Sequence, residues 1–219
     1  MIFFDIETGP LPPQELEARK PPFEARKGLK DPAKIKVDLV AKEDAWLSKT
    51  TLNAFTSQVW SIAYKKGAEG EVIVDHFGPD PTPENEAGMI EGFFGYMDSH
   101  SIMCGFNIIA FDVPFIIRRA YALGVHIPSS LRQRKYWYDK FVDLMDMWNL
   151  GTYRVEAQNR ISLNNLAKHL GLEGKTGTGD RFWSLFQVNQ EEALEYAKRD
   201  VELLLKSTTR LGNAKPTRI

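Results

Sequence analysis

The hydrophobic positions of the chain recur with two different periods, and their order along the chain predicts the fold class. Short apolar runs bounded by turn residues predict five strands, at residues 2–7, 58–64, 71–77, 101–106 and 141–144. Apolar residues at helical spacing predict helices at about residues 83–98, 112–123, 162–170 and 190–207. Strands in series followed by alternating helices and strands predict an α/β domain with a mixed sheet flanked by helices.

Capping residues sharpen the boundaries of these helices. Thr82 precedes Pro83, a pair typical of a helix start, and Gly124 occupies the position at which a glycine commonly ends a helix. Asn189 and Glu192 have the spacing of a capping box. The last helix is therefore predicted to begin next to Asn189.

Residues 10–57 have no clear hydrophobic period through most of their length and are rich in Lys, Arg, Glu and Pro. Two proline pairs, of which Pro12-Pro13 is the first, interrupt regular structure. We interpret the segment as an insertion after the first strand. Its Lys-rich part is predicted to form either short helices over the active face or a solvated excursion. A lid that grips a strand and a dimer surface are both compatible with this composition.

The length and composition fit a single globular domain. Of the 219 residues, 43% are hydrophobic and 26% are charged, which is ordinary for such a domain. We assign residues 1–211 to the domain and the polar, basic residues 212–219 to a flexible tail. No apolar run approaches the roughly 20 residues of a membrane span, and the sequence start lacks the basic stretch of a signal peptide, so we expect a cytoplasmic location.

The charge balance and the cysteine count exclude several classes of protein. A formal net charge of -1 argues against a protein that coats nucleic acid by bulk electrostatics, and leaves local binding open. A site built from carboxylates and metal ions is compatible with that total. Cys104 is the one cysteine, so an intramolecular disulfide and a cysteine zinc site are excluded. Its apolar neighbours predict a buried thiol.

Two acids on the first predicted strand are candidate metal ligands. Asp5 and Glu7 are two residues apart, so on a strand their side chains leave the same face. Carboxylates on an otherwise apolar strand need water, a donor or a cation, and a hard cation such as Mg²⁺ fits best. The alternative is an acidic pair at an exposed strand end that has no chemical role.

Asp112 and Asp200 each have a structural explanation as well as a chemical one. Asp112 stands at a predicted helix start, where an aspartate commonly caps the helix. From there its carboxylate can also face the sheet edge at which Asp5 and Glu7 emerge. Asp200 follows Tyr196 by one helical turn, beside the apolar stripe of the last helix. A carboxylate beside that stripe requires a salt bridge or a bound metal.

Taken together, three motifs resemble the exonuclease motifs of the DEDD superfamily in order and spacing. They are Phe4-Asp5-Ile6-Glu7-Thr8, Asn107 through Phe111-Asp112, and Tyr196-x3-Asp200. The third motif is similar to that of the tyrosine subclass, which includes the proofreading domains of family B polymerases and RNase D. In detail the chain most resembles small stand-alone proteins related to the polymerase B exonuclease domain. This resemblance implies a ribonuclease-H-like fold.

The resemblance also implies a role for each of these residues. Asp5 bridges two divalent metal ions, Mg²⁺ or Mn²⁺. Glu7 and Asp200 complete one ion site, and Asp112 supports the other. Tyr196 orients the attacking water by hydrogen bonding, because a reference pKa of about 10 makes tyrosine a poor base at neutral pH.

Three residues resemble family positions that hold the terminal nucleotide: Thr8, Asn107 and Phe111. Thr8 would bind through its backbone or hydroxyl, and Asn107 through its amide. Phe111 either stacks on a base or acts as an apolar staple before the helix. A further stretch alternates basic and aromatic residues, which suits either single-strand contacts or a solvated loop. Its members are Arg132, Arg134, Lys135, Tyr136 and Trp137.

The expected activity is the removal of mononucleotides from the 3′ end of single-stranded DNA. An RNase D-like enzyme that trims RNA is the first alternative, because the tyrosine motif serves both substrates. The second alternative is a nucleic-acid-binding module without activity, and the presence of all four acids counts against it. The sequence identifies no protein partner.

Overall fold

The computed structural model describes residues 1–78, 80–131, 140–150, 161–174 and 182–212. Within these ranges the strands are β1 (Ile2–Pro10), β2 (Ser57–Lys66), β3 (Ile73–His76), β4 (Met103–Gly105) and β5 (Phe141–Asp143). The helices are α1 (Pro13–Ala18), α2 (Pro32–Thr50), α3 (Pro83–Gly95), α4 (Asp112–Leu123), α5 (Leu144–Trp148), α6 (Leu163–His169), α7 (Phe182–Val188) and α8 (Gln190–Gly212). None of these helices combines the length and the apolar character needed to cross a membrane.

The strands form one mixed sheet in the order β3-β2-β1-β4-β5. β1 is the middle strand, antiparallel to β2 and parallel to β4, and β4 is parallel to β5. β2 and β3 form the predicted antiparallel hairpin. Cys104 of β4 is fully buried, as predicted. The predicted α/β class, with a mixed sheet flanked by helices, is confirmed.

Different helices cover the two faces of the sheet. On one face, Phe4 of β1 packs against Phe93 of α3, with ring centroids 5.4 Å apart. α8 covers the opposite face, because the next residue of β1, Asp5, meets Asp200 of α8. α7 contacts both α8 and β1. Two helical layers therefore enclose β1.

The predicted capping residues lie at the observed helix ends. At the start of α3, the backbone N–H of Asn85 donates to the Thr82 hydroxyl at 3.2 Å. Gly124 ends α4 in the left-handed conformation, with φ 72°. At the start of α8, the N–H of Glu192 donates to Asn189 Oδ1 at 3.2 Å. The Glu192 carboxylate accepts a hydrogen bond from the Asn189 side-chain amide at 3.0 Å. In a full capping box it would accept from the Asn189 backbone N–H, so the box is only partly formed.

Three short helices are absent from the sequence-based prediction, and one predicted helix is too short. α1 has 6 residues, α5 has 5 and α7 has 7, too few to show a clear hydrophobic period. α1 begins at the Pro12-Pro13 pair, which is predicted to interrupt regular structure. α8 continues to Gly212, beyond its predicted end near residue 207.

The insertion contains one long helix where short helices or a solvated excursion are predicted. α2 has 19 residues, and the Asp31 side chain caps it by accepting the N–H of Ala33 at 2.9 Å. Its buried residues are Asp38 and Thr50, so it presents no apolar stripe that a periodicity would reveal. The prediction of short helices or a solvated excursion is therefore wrong for the Lys-rich part of the insertion.

Charged contacts hold α2 in place instead. Asp38 accepts hydrogen bonds from the Arg26 side chain at 2.6 Å and from the Arg26 backbone N–H at 3.0 Å. Lys42 adds an ion pair at 3.2 Å. These contacts, the Arg26 guanidinium foremost, lower the pKa of Asp38 to about 2. Asp38 thus connects the segment that precedes α2 to the helix.

Candidate active site

Three of the predicted acids meet between β1 and α8. One carboxylate oxygen from each of Asp5, Glu7 and Asp200 lies within 4.8 Å of the other two. Glu7 is 8% exposed and Asp200 is 3% exposed, so bulk water screens their charges poorly. Like charges at this spacing repel each other, and a cation relieves the repulsion. Oxygen ligands arranged in this way fit a hard divalent cation such as Mg²⁺ or Mn²⁺.

The local sequence explains why these acids converge. The alternation of side chains along β1 directs Asp5 and Glu7 to the face that α8 covers. On α8, Ala193 and Ala197 are fully buried. Their small side chains allow the helix to approach β1 closely, and Asp200 lies one turn beyond Ala197 on the same side.

The hydrogen bond that Asp112 makes differs from the predicted helix cap. The residue at the N-cap position of α4 is Phe111, so the interpretation of Asp112 as a helix cap is wrong. Asp112 Oδ1 instead accepts the backbone N–H of Ile6 at 3.1 Å. β4 pairs with β1 only at Ile2 and Phe3. Further along β1, the Asp112 carboxylate thus occupies the place of a strand partner.

Asp112 is beside the group of three acids and is not part of it. Burial, followed by the charge of Asp5, raises the pKa of Asp112 well above its usual range, against the opposing hydrogen bond from Ile6. Asp112 is 3% exposed. Asp112 thus adds a further buried carboxylate, after Glu7 and Asp200, at this end of β1.

Tyr196 lies one turn before Asp200 on α8 and is half-buried. Burial, followed by the charges of Asp200 and Glu7 and a hydrogen bond to Asp200, raises the pKa of the Tyr196 hydroxyl far above its ordinary value. The hydroxyl therefore keeps its proton at neutral pH and is a hydrogen-bond donor.

The three predicted substrate residues occupy different settings. The Thr8 hydroxyl donates to the carbonyl of Thr51 at 2.6 Å, which joins β1 to the end of the insertion. Asn107 adopts a left-handed backbone conformation, with φ 63°. Phe111 packs against Phe115, with ring centroids 5.5 Å apart. The stretch at residues 132–137, predicted to contact a single strand, lies outside the described residues.

Asp143, at the end of β5, is a residue of this site that the sequence does not reveal. Its buried carboxylate accepts the backbone N–H groups of Asn107 at 2.8 Å, Ile109 at 3.0 Å and Met145 at 2.9 Å. Burial raises the pKa of Asp143, and these N–H donors oppose the rise. The carboxylate thereby fixes the loop that carries Asn107. Its one signal in the sequence is an acid in an apolar strand segment.

Two clefts open at predicted site residues. One, of about 160 Å³, is lined by Tyr196 and Asp200 together with Arg199 and Lys206. The other, of about 140 Å³, is lined by Asn107 and its neighbours on α5. Tyr196, Asp200 and Asn107 therefore line concave surfaces.

Residues 50–203 match a sequence family described as a predicted 3′-5′ exonuclease related to the exonuclease domain of PolB. The matched segment includes Asn107, Asp112 and Asp200, whereas Asp5 and Glu7 precede it. No protein with a curated description matches the chain.

The fold is similar to that of part of the family B DNA polymerase from the hyperthermophilic archaeon Pyrobaculum calidifontis, with a TM-score of 0.53 and 17% sequence identity. The alignment covers 96% of this chain and 24% of the polymerase, so the chain spans about a quarter of the polymerase's length. The likeness concerns the fold, and it confirms the predicted ribonuclease-H-like architecture.

Proposed function

The chain belongs to the family of predicted 3′-5′ exonucleases related to the exonuclease domain of PolB, and from that premise we propose that it hydrolyses single-stranded DNA from the 3′ end with two divalent metal ions. The observation that supports this most strongly is the meeting of Asp5, Glu7 and Asp200 beside Tyr196. The relation to PolB and the fold shared with a DNA polymerase favour DNA over RNA as the substrate. The products are mononucleotides.

In this proposal Asp5, Glu7 and Asp200 would hold one divalent ion. Asp112 would help Asp5 to hold a second. Bound Mg²⁺ or Mn²⁺ supplies a Lewis acid that lowers the pKa of water and offsets the charge of the phosphate. The burial of Glu7 and Asp200 fixes their carboxylates before the substrate arrives, so little reorganisation is needed during the reaction.

Tyr196 orients the attacking water through its phenol oxygen, which accepts a hydrogen bond from the water. Its proton is donated to Asp200, so the ring is held at the acid group. Tyr196→Phe removes the hydroxyl and keeps the ring. We expect this variant to lose about fivefold in rate, since one hydrogen bond is worth roughly 1 kcal/mol. Complete loss of activity would contradict a purely orienting role.

Thr8, Asn107 and Phe111 hold the terminal nucleotide in this proposal. The Thr8 hydroxyl donates to Thr51, and its oxygen retains lone pairs that accept from a nucleotide. Asn107 lines a cleft on a loop that Asp143 fixes, so its amide is preorganised. Phe111 is half-buried and offers part of its ring to a base in addition to its contact with Phe115.

Hydrolysis of labelled substrates tests the proposal. Purified protein is incubated with 5′-labelled single-stranded DNA, duplex DNA or single-stranded RNA, in Mg²⁺, Mn²⁺ or EDTA. We expect a ladder of single-stranded DNA shortened from its 3′ end, fastest among the three substrates and abolished by EDTA. The absence of any ladder would refute the activity, and a faster ladder on RNA would replace DNA by RNA as the substrate.

Two variants of α8 assign the activity to this protein. Asp200→Ala removes a proposed ligand and should abolish the ladder. Glu191→Gln changes an exposed acid in the first turn of the same helix and should leave the rate unchanged. Cleavage that persists in the Asp200→Ala preparation would point to a contaminating nuclease.

A further inference from the structure

A groove of about 930 Å³ separates the insertion from α4, outside the acid group. The insertion contributes Arg19 and Trp46, the segment before β2 contributes Phe55, and α4 contributes Arg118 and Tyr121. Phe55 and Tyr121 are each 74% exposed, so two aromatic rings face the solvent at the rim. Exposed aromatic rings grouped in this way mark a binding surface.

The charge of the groove differs from that of the protein as a whole. The chain has a formal net charge of -1. In the described part of the chain, every charged residue that lines the groove is an arginine: Arg19, Arg118 and Arg119. Arg119 is paired with Glu86 and Arg19 with Glu15. Arg118 is exposed and has no ion-pair partner among the described residues, so it contributes an uncompensated positive charge.

The groove is connected to the active site by two elements. The Thr8 hydroxyl bonds Thr51, and the groove-lining stretch 53–56 begins two positions later. α4 begins at Asp112 and carries Arg118 and Tyr121 on its later turns. At about 1.5 Å per residue, these side chains lie roughly 9–14 Å along the helix from Asp112. This distance suits the nucleotides that precede the terminal one.

We propose that the groove binds the single strand upstream of the nucleotide that is cleaved, with bases stacked on Phe55 and Tyr121 and a phosphate on Arg118. The inference rests on the proposed function and names a second contact region for the same substrate. Stacking on aromatic rings with arginine at the backbone is the chemistry by which proteins bind single strands without reading their sequence.

The same chemistry distinguishes a single strand from other occupants. A duplex keeps its bases stacked on one another and offers no base faces to Phe55 and Tyr121. A protein partner with an acidic surface would also bind Arg118. Measuring the affinity for a single strand directly distinguishes the two occupants.

Binding to a long strand, measured without hydrolysis, tests the proposal. The double variant Arg118→Gln, Tyr121→Ala removes the charge and one ring while leaving good helix formers on α4. The probe is fluorescein-labelled oligothymidylate of about 16 nucleotides, followed by anisotropy in EDTA. We expect Kd to rise about tenfold, equivalent to about 1.4 kcal/mol, and the salt dependence to become less steep.

A matched control and a short substrate complete the test. Arg210→Gln with Val188→Ala makes the same kinds of change at exposed positions of α8 and α7 outside the groove, and should leave Kd unchanged. Hydrolysis of a trinucleotide, too short to fill the groove, should change less than about twofold in the groove variant.

An unchanged Kd for the long strand would overturn the proposal. An equal loss on the trinucleotide would also overturn it, because the groove residues would then act at the active site itself. Since the binding assay needs no catalysis, an inactive protein that still binds through Arg118 and Tyr121 would refute the proposed hydrolysis and leave the groove assignment intact.

Discussion

β1 and α2 meet where Thr8 bonds Thr51, yet different interactions stabilise them. β1 is the centre of the sheet, and its side chains Phe4 and Ile6 are at most 5% exposed. α2 has two buried residues and depends on the ion pairs around Asp38. Water competes with ion pairs at a surface much more than with apolar packing in a core.

The difference shows where each region obtains its free energy of folding. Apolar packing around β1 is strong enough to tolerate three clustered carboxylates at one end of the strand. The insertion buries little apolar surface, so its helix opens locally at a lower free energy than the sheet. Substitutions around β1 should therefore affect global unfolding, and substitutions around Asp38 should affect only the insertion.

The largest effect is expected for Asp5→Asn, which removes the carboxylate shared by both proposed metal sites. We expect hydrolysis of single-stranded DNA to slow at least about a thousandfold, equivalent to about 4 kcal/mol. In EDTA the same change should raise the unfolding temperature by about 2–4 °C, because less repulsion remains in the acid group. Calorimetry measures this shift, with Asp44→Asn on the exposed side of α2 as the control. A lower unfolding temperature would show that the group is not repulsive.

The next effect concerns a buried ion pair on the other face of the sheet. Glu86 accepts two hydrogen bonds from Arg119, at 2.9 and 2.6 Å, and one from the N–H of Val59. Glu86→Ala leaves the buried guanidinium unpaired, so we expect a loss of about 3–5 kcal/mol in the free energy of unfolding, measured in urea. Glu15→Ala breaks the exposed ion pair with Arg19 in the insertion. We expect it to lower the free energy of unfolding by less than about 1 kcal/mol. Equal losses would contradict the difference between the two regions.

A smaller effect is expected for Gly105→Ala, at the end of β4. A Cβ atom there would lie 2.0 Å from Ile108 Cγ2 and 3.1 Å from the carbonyl oxygen of Phe4. The loop toward Asn107 must shift to accommodate the Cβ atom. We expect the free energy of unfolding to fall by about 1–3 kcal/mol and the affinity for substrate to decrease. Gly92→Ala on α3, where nothing lies within 4 Å of an added Cβ, is the control and should stabilise the protein by up to about 1 kcal/mol. Urea unfolding and KM measurements check both variants.

The smallest effect is a local response of the insertion to acid. The folded-state pKa of Asp38 is about 2, below its ordinary value of 3.8. Its stabilising contribution is therefore present above about pH 4 and is lost as the pH falls toward 2. Pulse-labelling hydrogen exchange should show α2 losing protection in this range before β1 does. Asp38→Asn should show the same loss at neutral pH, and simultaneous loss in α2 and β1 would contradict the separation.

Apolar periodicity accounts for the parts of the fold that the sequence predicts. α4 has the predicted bounds, Asp112–Leu123, because its buried residues recur at helical spacing between clear end signals. α2 escapes prediction because Arg26 and Lys42 hold it through Asp38, and ion pairs leave no period in the sequence. Sequence patterns therefore reveal elements that pack on a core more readily than elements held by charge.

The same limit applies within the site. The three motifs correctly predict that Asp5 and Asp200 meet, since a strand pair and a helix stripe both face the core. The bond from Ile6 to Asp112 depends on where β4 stops pairing with β1, which no local pattern specifies. The three bonds to Asp143 likewise arise from the tertiary path of the Asn107 loop.

The distance along the chain between β1 and α8 has a consequence for protein synthesis. Asp5 belongs to the first strand of the sheet to be synthesised, whereas Asp200 follows after all five described strands. Segments synthesised early begin to fold while the rest of the chain is still being made. A nascent or prematurely terminated chain that lacks α8 contains an incomplete acid group. The proposed hydrolytic centre is therefore completed only after the whole sheet and α8 have been synthesised.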